Sequence, residues 1–82
     1  MCAGSGGSVL SGVASDVYLT GEMGHHDVLE ACSRGVAVIL CEHSNTERGF
    51  LQQVYKKQVE AALGGQVEVI IAENDRDPLQ IV

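Results

Sequence analysis

The sequence has no tryptophan, one phenylalanine and two tyrosines, so aliphatic side chains must fill most of its core. Its longest apolar run, residues 36–41, is far shorter than the roughly 20 residues that a membrane-spanning helix needs. The first residues also lack the basic and apolar regions of a secretory signal peptide. We therefore expect an unexported protein with no membrane partner.

Basic residues are scarce as well, with five lysines and arginines against 11 acidic residues and a net charge of -6. This sign repels phosphate backbones, so we expect no direct nucleic-acid binding. The three cysteines form no CxxC pair, which argues against a disulfide framework and a thiolate zinc site. Cys32 and Cys41 lie in apolar contexts and are expected to be core thiols in a reducing compartment.

The 82 residues suffice for one small domain, in which apolar strand patterns alternate with helical ones. This alternation predicts an α/β fold with a three-to-four-stranded, mostly parallel or mixed sheet and crossover helices. The expected strands are residues 16–20, 36–41 and 67–72, and the expected helices are residues 25–33 and 50–63. Strand 36–41 is continuously apolar and should be covered on both faces. An apolar tail, PLQIV, follows the last strand.

The glycine-rich stretch AGSGGSVLSG, residues 3–12, has two interpretations. Its backbone N–H groups could cradle an anion at a strand-to-helix turn, although the spacing matches no known phosphate loop. Alternatively, it is a tight turn that requires positive φ. It resembles the turn leaving a strand whose body is absent, so we expect residues 1–82 to be the C-terminal portion of a larger domain, or a unit completed by a partner chain.

The stretch GEMGHHDV, residues 21–28, places His25, His26 and Asp27 at a predicted helix start. Consecutive helical residues point about 100° apart, so the two histidines are poorly placed to chelate one ion. Asp27 near the helix N-terminus interacts favourably with the helix dipole. His25 and His26 are therefore candidates for pocket residues rather than ligands.

The stretch HSNTE, residues 43–47, also has two interpretations. Ser44 and Glu47 have the spacing of a capping box, in which Glu47 reaches back to the Ser44 amide. Alternatively, His43 at the carboxyl end of a strand and Glu47 in the first helical turn converge on one divalent metal ion. In that case Glu42 or Arg48 would contact one of the two ligands without binding the metal itself. Alternatively, both are solvated surface charges.

The motifs CAGSGGSVL, DVYLTGEMGHHDVLEA and VILCEHSNTERGFL, followed by DRDPLQIV, closely resemble the C-terminal end of the NIF-three-like family. The resemblance covers essentially the whole chain. The pairing of TGEM-x-HHD with H-x-x-TERG is specific, because generic α/β proteins do not share it.

The resemblance implies an α/β fold with a dinuclear site for zinc, iron or manganese. In this family a histidine and a glutamate of the C-terminal motif contribute to the site, and they correspond to His43 and Glu47. The resemblance also implies that other ligands come from an N-terminal half, which we expect this chain to lack. The resemblance also implies that His25 and His26 lie near the same cleft.

The implied functions belong to different classes. Relatives are labelled GTP cyclohydrolase-like, which implies a metal-dependent hydrolase, although we expect this chain alone to be inactive and to bind metal weakly. Animal relatives are described as cytoplasmic and nuclear proteins that associate with transcriptional regulators and form homo-oligomers. The alternative is a non-catalytic interaction module that uses the sheet and the helix of residues 50–63.

Overall fold

The computed structural model describes residues 1–80 and 82, so Ile81 of the predicted apolar tail lies outside the described residues. The chain divides into two compact units, Met1–Glu47 and Arg48–Val82. The first unit contains a parallel sheet and its helices. The second unit contains most of a long helical segment and the residues that follow it.

The first unit is built on three parallel strands in the order β1-β2-β3, with β2 in the centre. The strands are β1 (Cys2–Ser5), β2 (Val17–Glu22) and β3 (Ala37–Leu40). β2 and β3 pair in continuous register from Val17 and Ala37 onwards, whereas the β1–β2 register shifts between Cys2 and Ser5. The predicted α/β class and parallel sheet are confirmed. The expectation that the strand before the glycine-rich turn is absent was wrong, because Cys2–Ser5 form β1.

Two helices connect the strands of this sheet, α1 (Gly7–Leu10) and α2 (His25–Ser33). α2 has the boundaries that the sequence pattern predicts, and Asp27 lies in its first turn. Gly35 follows with φ of 82°, the left-handed conformation expected after a helix C-terminus. The interval between each pair of strands is thus long enough for the crossover that parallel pairing requires.

The core of the first unit is small and mainly aliphatic, as the lack of aromatic residues predicts. Tyr18 is 2% exposed, and its hydroxyl donates a hydrogen bond to the Val13 carbonyl across 2.6 Å. Thr20 is fully buried, and its hydroxyl donates to the Gly4 carbonyl across 3.2 Å. Burying these hydroxyls is tolerated because each has a partner. The buried apolar residues are Leu10, Tyr18, Ala31 and Val36.

The third strand is less covered than the sequence predicts. Val38 packs against the core, but Ile39 and Leu40 are each 50% exposed. The expectation of a strand covered on both faces was therefore wrong for the described chain, because Ile39 and Leu40 point to opposite faces of β3 and both are half exposed. Cys32 is also exposed rather than in the core, whereas Cys41 is partly buried, and both are free thiols.

The predicted helix of residues 50–63 is part of a longer helical segment. The segment comprises α3 (His43–Phe50), a π-helical stretch (Leu51–Tyr55) and α4 (Lys56–Ala62). The π-helical geometry is not predicted by the hydrophobic pattern, which is periodic throughout. In the second unit the rings of Phe50 and Tyr55 stack with their centroids 6.0 Å apart. Four large apolar residues of the segment and one directly after it are 39–51% exposed: Phe50, Leu51, Val54, Tyr55 and Leu63.

The predicted last strand, residues 67–72, was wrong. These residues have no regular secondary structure and follow Gly64 and Gly65, which have φ values of 60° and 71°. A strand requires a neighbour for its backbone hydrogen bonds, and the described residues of the second unit include no other strand. In the part of the chain that the structure describes, no helix is both long and apolar enough to span a membrane.

Candidate functional site

His43 and Glu47 lie one helical turn apart at the start of α3. His43 Nε2 and Glu47 Oε1 are 3.3 Å apart, so the two side chains converge as the sequence predicts for this pair. The side chains are 42% and 50% exposed, respectively, and remain accessible from solvent. The preceding residue, Glu42, adopts a φ of 68°, which turns the chain from β3 into the helix.

The other nitrogen of His43 faces a carboxylate that the sequence analysis did not assign to the site. His43 Nδ1 lies 2.9 Å from Glu22 Oε1, at the carboxyl end of β2. This hydrogen bond raises the pKa of His43 above its ordinary value, and the negative charge of Glu47 adds to the increase, while desolvation of the ring opposes it. The parallel sheet could have indicated Glu22, because the carboxyl ends of β2 and β3 lie at the same edge.

Gly4 of β1 is a second residue of the site that the sequence analysis placed elsewhere. It has a φ of 66°, and a Cβ at this position would clash with Glu47 Oε1 and lie 3.0 Å from His43 Nε2. Its N–H donates a hydrogen bond to Thr46 Oγ1 across 2.9 Å. The positive φ agrees with the tight-turn interpretation of the glycine-rich stretch. Gly4 is therefore important for its small size beside the histidine and the glutamate.

The predicted capping box was wrong. α3 begins at His43 rather than after Ser44, and among the described residues no hydrogen bond to the Ser44 side chain is found. Thr46 instead donates its hydroxyl proton to the His43 carbonyl across 2.8 Å. Glu47 is directed toward His43 and not back to the Ser44 amide. The helix begins two residues earlier because Glu42 makes the turn, so Glu47 is free to pair with the imidazole.

The suggested outer partners of His43 and Glu47 are not observed in that role. Glu22, rather than Glu42, contacts His43. Arg48 forms a bidentate pair with Asp75 in the second unit, with N–O distances of 3.1 and 3.2 Å, and also contacts Asp77. These aspartates belong to a stretch to which the sequence analysis assigned no role.

The two histidines predicted to line a pocket are at the exposed start of α2. His25 and His26 have ring centroids 5.8 Å apart in an edge-on arrangement. Neither forms a hydrogen bond with another described residue through its side chain. Their assignment as pocket residues stays a prediction.

The donor set at His43 and Glu47 is suited to a divalent metal ion but incomplete. Two bonds of about 2.1 Å at a tetrahedral angle separate a nitrogen and an oxygen ligand by about 3.4 Å, close to the observed 3.3 Å. Glu22 contacts the other ring nitrogen of His43. Metal-binding histidines typically have such a carboxylate on the nitrogen that does not bind the metal. However, within residues 1–80 and 82, no three His, Cys, Asp or Glu side chains are arranged to hold one ion.

An apolar cavity of about 230 Å³ lies in the first unit. Its lining includes Cys2 of β1, Leu19 of β2, Cys41 and Thr46. Neither His43 nor Glu47 is among its lining residues, so the cavity is not part of the site that they form.

Comparison with known protein families identifies the chain. Residues 1–78 match the model of the family described as Duf34/NIF3 (NGG1p interacting factor 3). The chain belongs to the Duf34/NIF3 family. The resemblance derived from the sequence motifs is thereby confirmed, and the match includes Glu22, His43 and Glu47.

Several curated Duf34/NIF3 relatives align with the chain. NIF3-like protein 1 of Rattus norvegicus is 60% identical over 82 residues, which are 100% of this chain and 22% of the relative. The Homo sapiens protein of the same name is 58% identical with the same coverage. NGG1-interacting factor 3 of Saccharomyces cerevisiae is 48% identical over 83 residues, covering 99% of this chain and 28% of the relative. The chain thus spans about a fifth to a quarter of these relatives, and no solved structure matches it.

Proposed function

We propose that this chain contributes two ligands, His43 Nε2 and Glu47 Oε1, to a divalent metal site of a Duf34/NIF3 protein. The 3.3 Å separation of these atoms is the observation on which the proposal rests. The pair lies beyond the carboxyl end of β3, where open α/β sheets bind their ligands. An imidazole with a carboxylate is a suitable donor set for zinc, iron or manganese.

The remaining ligands, including those of a second ion, would come from parts of a full-length relative that this chain does not span. Two protein ligands leave the coordination of such ions incomplete, so the isolated chain should bind metal weakly. When bound, a divalent ion lowers the pKa of its water toward about 7, which is the chemistry that a metal-dependent hydrolase would use. His43 and Glu47 would hold the ion at the exposed edge of the sheet. Solvent and substrate could reach the ion there.

Metal binding is tested by equilibrium dialysis of the purified chain against Zn²⁺, Fe²⁺ or Mn²⁺, followed by elemental analysis. We expect weak binding that is abolished by His43→Ala and by Glu47→Gln. Ser44→Ala is the matched control, since the Ser44 side chain lies between them in sequence and makes no hydrogen bond to the described residues. A tight stoichiometric ion that survives His43→Ala would contradict the assignment. Adding the rest of a full-length relative in trans should increase the affinity of the wild-type chain and of Ser44→Ala, but not that of His43→Ala or Glu47→Gln.

We also propose association with a transcriptional regulator as a second function. The yeast relative is named NGG1-interacting factor 3, and the helical segment of this chain exposes Phe50 and Tyr55 at 51% and 50%. Exposed apolar surface of this kind favours protein association. Surface plasmon resonance with a purified NGG1 homologue tests this function. Phe50→Ser with Tyr55→Ser should weaken binding, whereas Lys57→Ser on the same segment should not.

A further inference from the structure

His43 lies between two carboxylates that compete for its ring protons. Glu22 Oε1 is 2.9 Å from Nδ1, and Glu47 Oε1 is 3.3 Å from Nε2. A neutral imidazole has one N–H group, and a carboxylate accepts hydrogen bonds without donating any. Only one of the two carboxylates can therefore receive the proton of the neutral ring. The shorter distance favours Glu22.

Glu22 is held at this position by the sheet. It is the last residue of β2, and in the β1–β2 register it pairs with Ser5. Its carbonyl accepts a hydrogen bond from the Gly6 N–H across 3.0 Å and lies 3.4 Å from the Thr20 hydroxyl, whose one proton is shared with the Gly4 carbonyl. A side chain that projects from a paired strand end is oriented more accurately than one on a free loop.

We infer that Glu22 is a positioning residue that keeps the proton of neutral His43 on Nδ1, and thereby presents the Nε2 lone pair beside Glu47 Oε1 to a divalent cation. In water a histidine side chain prefers the opposite tautomer, with its proton on Nε2. That tautomer would direct an N–H group at Glu47 and exclude a metal ion from Nε2. The hydrogen bond made by the other ring nitrogen selects the tautomer, as it does in metal-binding histidines generally.

The part of this inference that concerns a cation rests on the proposed metal function, whereas the tautomer does not. The first measurement is therefore made without metal. The ¹⁵N and ¹³C chemical shifts of the His43 ring are recorded in the metal-free chain at a pH where the ring is neutral. The wild-type ring should have its proton on Nδ1.

Substitution of Glu22 should change this spectroscopic signature without unfolding the chain, since its side chain is 56% exposed. In Glu22→Ala the ring should shift toward the Nε2–H tautomer. In Glu22→Gln it should be intermediate, because an amide can accept or donate. Glu42→Gln is the control, since it removes a negative charge next to His43 in sequence and should leave the wild-type signature. A wild-type ring protonated on Nε2, or an unchanged ring in Glu22→Ala, would overturn the inference.

A second measurement connects the tautomer with metal affinity. Zn²⁺ is titrated into each variant at the same pH, and the dissociation constant is obtained by isothermal titration calorimetry, which also reads the His43→Ala variant. Glu22→Ala should weaken Zn²⁺ binding about 10- to 100-fold, whereas Glu42→Gln should bind like wild type. If the tautomer shifts as expected but His43→Ala does not alter Zn²⁺ binding, the metal assignment fails and the positioning role of Glu22 stands. If Glu22→Ala changes neither quantity while His43→Ala abolishes binding, the positioning role fails and the metal assignment stands.

Discussion

The backbone N–H of Gly4 donates a hydrogen bond to the hydroxyl of Thr46, across a sequence separation of 42 residues and a distance of 2.9 Å. The same hydroxyl donates to the His43 carbonyl across 2.8 Å. Thr46 therefore joins the first strand to the first turn of the helix that presents His43 and Glu47. This connection makes the geometry of the candidate metal site depend on β1.

Replacement of Gly4 by alanine should destabilise the chain more than the same change at Gly12. Both glycines have positive φ, 66° and 78°, so alanine at either position costs about 1–2 kcal/mol. At Gly12 a Cβ would have no heavy atom within 4 Å, whereas at Gly4 it would clash with Glu47. The clash is with the ends of two half-exposed side chains, Glu47 and His43, which can move aside, so the additional loss at Gly4 should be about 1 kcal/mol, the low end of the overpacking range. Urea denaturation of both variants measures the difference, and equal losses would contradict this account.

Thr46→Val should destabilise the chain, because it removes the acceptor of the Gly4 N–H and the donor to the His43 carbonyl. A lost hydrogen bond of this kind costs about 1 kcal/mol, and more when a partner is left unsatisfied. Thr46→Ser keeps the hydroxyl and should be closer to wild type. The free energy of unfolding is compared for the three proteins. If Val and Ser have the same effect, the hydroxyl is not the stabilising group.

The pKa of His43 in the metal-free chain should lie above the ordinary histidine value of about 6.5, chiefly because of its hydrogen bond to Glu22. A raised folded-state pKa means that the stabilisation from this group is fully present below the unfolded value and lost as the pH rises through the folded value. An NMR titration of the His43 ring measures the pKa. Glu22→Gln should lower it more than Glu47→Gln does, since the hydrogen bond to Glu22 is the larger cause. The reverse order would contradict the observed geometry.

Asp75 should titrate below its ordinary range, because Arg48 donates two hydrogen bonds to its carboxylate and adds a favourable positive charge. A lowered folded-state pKa gives stabilisation that is present above the unfolded value of about 3.9 and lost as the pH falls through the folded value. Arg48→Gln should raise the pKa of Asp75, which ¹³C carboxyl shifts measure. Arg48→Lys should have a smaller effect, since lysine retains the charge but not the bidentate geometry. An unchanged pKa in Arg48→Gln would refute the pairing.

Local patterns predicted most of the regular structure. The boundaries of α2 and the left-handed Gly35 follow from helical spacing and from the preference of glycine for positive φ, and both depend on neighbouring residues only. β2 and β3 were predicted within two residues from their apolar and β-branched content. Residues 67–72 have similar content but form no strand, because strand formation depends on a neighbour that local sequence does not specify.

The sequence predicted only part of the candidate site, because one feature of its backbone has no local pattern. The four-residue spacing of His43 and Glu47 on a helix was sufficient to bring their side chains together. It also matched a capping box, and the structure excludes that alternative because the backbone turn at Glu42 moves the helix start to His43. The choice depended on one backbone φ angle, which the residue pattern did not indicate.

The sequence by itself therefore determined the family, the α/β class with the succession β2, α2 and β3, and the convergence of His43 with Glu47, since each depends on a motif or on a local pattern. Only the tertiary structure decided that Glu22 and Gly4 meet the same imidazole. Parallel pairing aligns the carboxyl ends of β2 and β3, and the shifted register of β1 carries Gly4 to the helix start. Register depends on long-range hydrogen bonds and packing, so residues about 20 and 40 positions apart become neighbours without any local pattern to indicate it.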